Sequence, residues 1–98
     1  MDISAKINCE NLYKAILKLK TVEDCAKFFE DVCTIKEILD MSQRLEVAEL
    51  LTSGKNYQEV SKLTGASTAT ISRVSKCINY GAGGYAIVVD KKCKKEKK

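Results

Sequence analysis

Proline and histidine are both missing from this 98-residue chain. Without proline no helix interior is forced to stop or kink, and the five glycines fall late, so the chain reads as all-helical. Without histidine there is no imidazole to act as a general base beside a serine or cysteine, and none to bind a metal. The five cysteines, Cys9, Cys25, Cys33, Cys77 and Cys93, form no C-x-x-C pair. An odd count without ligand spacing excludes a disulfide framework and a zinc site, so no metal or cofactor is expected. Cys25, Cys33 and Cys77 read as small core residues in a reducing compartment. No paired-acid constellation is evident, so an enzyme is not expected. No apolar run approaches membrane-spanning length, and the first residues lack the basic and apolar segments of a signal peptide. A cytoplasmic protein without a membrane partner is the expectation.

What is present is charge distributed unevenly. Residues 1–54 hold seven basic and ten acidic side chains, whereas residues 55–80 hold four basic and one acidic. Residues 91–98 hold six lysines and one glutamate, and no acidic side chain occurs between Glu59 and Asp90. Positive charge is thus confined to one internal stretch and the tail, the asymmetry expected of a nucleic-acid binder.

The internal stretch, NYQEVSKLTGASTATISRV from Asn56 to Val74, has the residue pattern of a helix-turn-helix. Val60, Thr64, Ala66, Ile71 and Val74 fall where two short helices crossing steeply must touch. Gly65 stands where the chain leaves the first helix and a positive φ is needed. Ser61 is small enough to face the second helix closely. Asn56 and Glu59 form an N-x-x-E capping box, and Ser67 is a good N-cap for the next helix. Thr68, Thr70, Ser72, Arg73 and Lys76 give that helix an outer face of hydroxyls and cations, suited to base edges and phosphates. An ordinary αα-hairpin closing a helical core is the competing reading, but a surface helix chosen for solubility would carry Glu/Lys pairs.

Leu12, Ala15, Ile16 and Leu19 predict an amphipathic helix over residues 8–20. Thr21 and Asp24 open a second helix through Cys25, Phe28, Phe29 and Val32. Adjacent phenylalanines cannot both face one intrachain core, which points to a second subunit. Thr34 and Glu37 form a capping box that starts the longest helix, running to about Thr52 and ended by Gly54. Ile35, Ile38, Leu39, Met41, Leu45, Val47, Ala48, Leu50 and Leu51 surround so much of this helix that burial among several others is expected, part of it at a homodimer interface. Gly81 is placed just past the end of the last predicted helix, and residues 81–98 read as a glycine-containing linker and a basic tail. Ala86-Ile-Val-Val89 fits a strand or a docking strip, and the G-x-G-G run before it reads as a connector, not a phosphate cradle. The tail adds sequence-independent DNA affinity or only solubility.

Residues Leu50-Leu51 through Gly65-Ala66-Ser67-Thr68-Ala69-Thr70-Ile71-Ser72-Arg73 resemble the tryptophan repressor superfamily. With Ser42–Ala48 and Cys77–Gly81, the chain is similar to its short branch of bacterial Trp-repressor-related DNA-binding proteins, over roughly residues 8 to 85. The resemblance implies an all-α bundle that forms an intertwined homodimer. It also implies that Thr68, Ala69, Thr70 and Ser72 approach bases or phosphates, with Tyr57 and Gln58 beside the backbone. Tryptophan-binding members sandwich the indole between two arginines, over a glycine following the second. Here Arg73 matches the second arginine, but Gln43 replaces the first, Val74 the glycine, and Cys77 the serine that binds the amino group. An effector pocket of Gln43, Arg73, Val74 and Cys77 would not suit tryptophan, and any small-molecule corepressor is unspecified. The family's last helix has no evident counterpart, its place taken by the glycine linker and lysine tail.

These observations define an all-α protein with a dimerisation and DNA-binding domain over residues 1–80, its helix-turn-helix at about 57–78. The expected function is sequence-specific binding of double-stranded DNA by a homodimer that regulates transcription, most naturally as a repressor. The DNA-binding candidates are Tyr57, Gln58, Ser67, Thr68, Ala69, Thr70, Ser72, Arg73 and Lys76. The alternative is an interaction or adaptor module with only non-specific nucleic-acid affinity.

Overall fold

A computed structural model describes the backbone of residues 3–89 and the side chains of residues 9–89. The described chain is all α, with helices α1 (Ile3–Ile16), α2 (Val22–Val32), α3 (Ile35–Thr52), α4 (Tyr57–Thr64), α5 (Thr68–Tyr80) and α6 (Gly84–Val88). No described helix is long and apolar enough to cross a membrane. The expected tail at residues 91–98, with Cys93, lies outside the described residues.

The local start signals act as their chemistry dictates. Thr21 Oγ1 accepts from the Asp24 N–H at 3.0 Å, capping α2. At α3, Thr34 N–H donates to Glu37 Oε1 at 2.8 Å and Glu37 N–H donates to Thr34 Oγ1 at 3.1 Å, a reciprocal box that satisfies two otherwise orphaned donors. Gly54, with φ 101°, then turns the chain out of α3. The first helix differs from its predicted bounds: it begins at Ile3 and ends at Ile16. Lys18 and Leu19 donate to Ala15 and Ile16, so the ladder tightens to an i→i−3 turn before the predicted end.

The chain divides into two units, Met1–Ile38 and Leu39–Lys98, with the division falling inside α3. In the first, no described side chain is fully buried. Phe28 and Phe29 are half-buried and meet edge to face with ring centroids 5.3 Å apart, so the adjacent rings pack against each other. Cys25 and Cys33 are only half-buried, not core residues as their type suggested.

The second unit holds the core: Val47, Ala48, Val60, Ala66, Ile71, Val74 and Val89, flanked by Leu50, Leu51, Ile78 and Tyr85. Here α3 contributes only Val47 and Ala48 as buried residues, while Ile35, Leu39, Met41 and Leu45 stay exposed. The expected burial of α3 on many sides is therefore absent within one chain. The segment after α5 is also more than a connector. Gly83, with φ 89°, turns the chain into α6, and Val89 closes onto the core with its N–H donated to Tyr85 O at 2.8 Å. Residues 84–88 are helical and not a strand because Tyr85 and Val89, one turn apart, face the same apolar surface. A short helix thus stands where the resemblance left the last helix without a counterpart.

Candidate nucleic-acid interface

The first helix of the predicted helix-turn-helix is fixed at both ends. Asn56 Oδ1 accepts from Glu59 N–H at 2.9 Å and Glu59 Oε1 accepts from Asn56 N–H at 3.1 Å, completing the box that starts α4. Gly65 ends it in the left-handed region, φ 77°, with its N–H donated to Ser61 O at 2.8 Å. The turn is then stitched by hydroxyls. Ser61 Oγ donates to Ala66 O at 2.9 Å, and Thr64 Oγ1 donates to Val60 O at 2.8 Å while accepting from Ala66 N–H at 3.1 Å. Ala66 is buried in this turn, so its backbone N–H and carbonyl need such partners, which suits small hydroxyl residues at 61 and 64.

The inner face of α5 is apolar and closed. Ile71 is 0% exposed and Val74 is 1% exposed, against Val60 of α4 and Val47 and Ala48 of α3 in one cluster. Because these two residues are three apart, they fix which side of α5 faces the core and turn the rest outward. On the outer side Ala69, Thr70, Ser72, Arg73 and Lys76 line one open recess. Ala69, Ser72, Arg73 and Lys76 are exposed, and Thr70 is half-buried. Among the described residues no carboxylate pairs with Arg73 or Lys76; Lys14 and Glu10 pair at 3.6 Å along α1. Ser67 is exposed but occupied, since its Oγ accepts from Thr70 N–H at 3.1 Å and donates to Thr70 Oγ1 at 3.1 Å. Thr68, Tyr57 and Gln58 are exposed without lining the recess. The recess can therefore offer hydrogen-bond donors and positive charge to an acceptor-rich surface.

Within one chain the four positions of the expected effector pocket have separate surroundings. Val74 is sunk in the core. Gln43 is half-buried, with its Nε2 donated to Thr64 O at 3.2 Å. Arg73 belongs to the outer recess, and Cys77 lines a second, largely apolar concavity with Leu45, Gly81, Ala82, Gly84, Tyr85 and Val88. The core position read for Cys77 is thus wrong: its side chain is exposed, because Gly81 and Gly84 beside it carry no side chain to cover the thiol. Sequence reasoning also missed the Gln43 amide as a support of the turn; α3 carries many polar residues, and a contact 21 residues away leaves no local signal among them. Among the described residues no group of His, Cys, Asp and Glu side chains could hold a metal ion.

A small helical scaffold that buries one face of a helix-turn-helix and presents the other as a cationic recess is the architecture of a DNA-binding regulator. Residues 8–93 match the Trp repressor protein family, and the chain belongs to it. This is a family of transcription regulators and not of enzymes. The chain is 50% identical over 82 residues to the uncharacterized protein YerC of Bacillus subtilis (strain 168), covering 84% of this chain and 79% of that one. It is similar to a TrpR-like protein from Eubacterium eligens ATCC 27750, with TM-score 0.78, 54% identity and 81% of each chain covered. It is also similar to a candidate Trp repressor from Staphylococcus aureus, with TM-score 0.84, 39% identity and 95% of each chain covered.

Proposed function

We propose that this chain is a sequence-specific regulator of transcription that binds double-stranded DNA as a homodimer, most naturally as a repressor in the cytoplasm. The observation that carries this reading is the outer recess of α5, donor-rich and unopposed by acid, on the helix whose other face is locked by Ile71 and Val74. In such a motif α5 lies in the major groove, with Tyr57 and Gln58 at the start of α4 beside the phosphates. Arg73 and Lys76 supply charge-assisted contacts, Thr68, Thr70 and Ser72 shorter hydrogen bonds, and Ala69 a surface for a thymine methyl. Ser67 acts on this surface through Thr70, as its cap.

The dimer is supported by unpartnered apolar surface. Leu39 is 63% exposed and Ile35 66%, and no described side chain before α3 is fully buried. Exposed apolar residues of this extent on so small a chain mark an interaction surface, and a second copy is the occupant proposed. Two-fold symmetry then sets half-sites about 34 Å apart along the duplex. The effector positions disfavour tryptophan, because Val74 fills core space and Gln43 is committed to Thr64 O.

Selection of bound duplexes from a random pool, with sedimentation of the free protein, tests both parts. One enriched palindrome and a dimeric mass are expected. Binding that vanishes at physiological salt with no enriched sequence would favour an interaction module with only non-specific affinity.

A further inference from the structure

Resting on the assignment of α5 as the DNA-facing helix, we infer that its outer recess reads guanine: Arg73 takes the O6 and N7 acceptors of one guanine per half-site, and the lining selects against adenine and cytosine there. The recess contains a guanidinium, an ammonium and two hydroxyls beside the methyl of Ala69, with no amide or carboxylate. A guanidinium and an ammonium only donate, and a hydroxyl does either. The major-groove edge of guanine presents adjacent acceptors, N7 and O6, which a guanidinium matches with a bidentate pair. Adenine presents an amino donor beside N7, and cytosine an amino donor alone, so each would place a donor against a cation.

The hydroxyls fit an acceptor edge without excluding a donor. Ser67 Oγ and Thr70 Oγ1 share one hydrogen bond at 3.1 Å, and Ser67 Oγ already accepts the Thr70 N–H. Ser67 Oγ donates in the shared bond, so the Thr70 hydroxyl proton remains for an outside acceptor. The amides of the two-helix unit lie elsewhere: Asn56 is spent in the capping box, Gln58 is on α4, and Asn79 is in the last turn of α5. Arg73 itself is exposed and has no carboxylate partner among the described residues. Ala69, one turn before it, and Lys76, nearly one turn after, share its side of the helix. Phosphate oxygens offer the same acceptor chemistry, so the base edge and the backbone must be separated by experiment.

The test uses the full chain and a duplex enriched from a random pool. Each guanine is replaced in turn by 7-deazaguanine, which lacks N7, and by inosine, which lacks only the minor-groove amino group. At one guanine per half-site the deaza base should weaken binding roughly ten-fold while inosine leaves it unchanged. Arg73→Ala should weaken binding to that duplex roughly ten- to hundred-fold and bind its guanine-to-adenine counterpart equally well, with Arg73→Lys between the two. If an enriched site exists but no guanine responds to loss of N7, the inference fails and the proposed function stands. The same holds if Arg73→Ala weakens all duplexes alike and lowers the salt slope by about one, the signature of a phosphate contact. A pool with no enriched sequence would instead overturn the assignment of α5 on which the inference rests.

Discussion

Gln43 on α3 donates its amide Nε2 to the carbonyl oxygen of Thr64, the last residue of α4, at 3.2 Å. The C-terminal carbonyls of a helix have no intrahelical donor, and this one is half-buried where water reaches it poorly. The position at which tryptophan-binding relatives keep a stacking arginine is here a structural tether. Gln43→Ala should destabilise the second unit by about 1 kcal/mol and speed hydrogen exchange in the last turn of α4. Unchanged exchange there would show that Gln43 is free for another role.

Stability and DNA contact should separate along α5. Ile71→Ala removes a side chain that is 0% exposed and should cost about 2–5 kcal/mol in urea unfolding. Ser72→Ala, on the outer face, should change stability by no more than about 0.5 kcal/mol while weakening DNA binding. Comparable destabilisation by the two would mean that α5 is rotated from the orientation described.

Two glycines are required for different reasons. Gly65 has open space around an added Cβ, but its φ of 77° is a left-handed conformation, so Gly65→Ala should cost about 1–2 kcal/mol through backbone strain. Gly81 has an ordinary negative φ, but an added Cβ would collide with the carbonyl oxygen of Cys77. Gly81→Ala should cost about 1–3 kcal/mol by forcing the α5–α6 junction open. Thermal unfolding monitored by circular dichroism reads both. Gly65→Asn, which tolerates the left-handed region better, should recover part of the first loss and serves as a control on its cause.

Removing residues 91–98 takes away six lysines and one glutamate. If the proposed reader is α5, the truncated chain should bind every duplex more weakly and show a shallower dependence of log K on log salt. Its ranking of sequences should stay the same. A titration in which the truncated protein loses that ranking would place the selectivity in the tail.

Much of this protein is determined locally. Capping boxes at Thr34/Glu37 and Asn56/Glu59 and the Ser67 cap each follow from side chains reaching backbone groups three residues away, and the positive φ of Gly65 follows from its missing Cβ, so local sequence suffices. The outward face of α5 was equally legible, because burying Ile71 and Val74 leaves Ser72, Arg73 and Lys76 no other direction. What the tertiary structure decided depends on groups far apart along the chain. The Gln43–Thr64 tether spans 21 residues, and Val89 joins the core only because Gly83 turns α6 back onto it. The exposure of Cys77 likewise depends on glycines that leave its recess uncovered, whereas residue type alone favoured burial. Periodicity shows that a side of a helix must be covered; which element, or which copy of the chain, covers it is settled by packing in three dimensions.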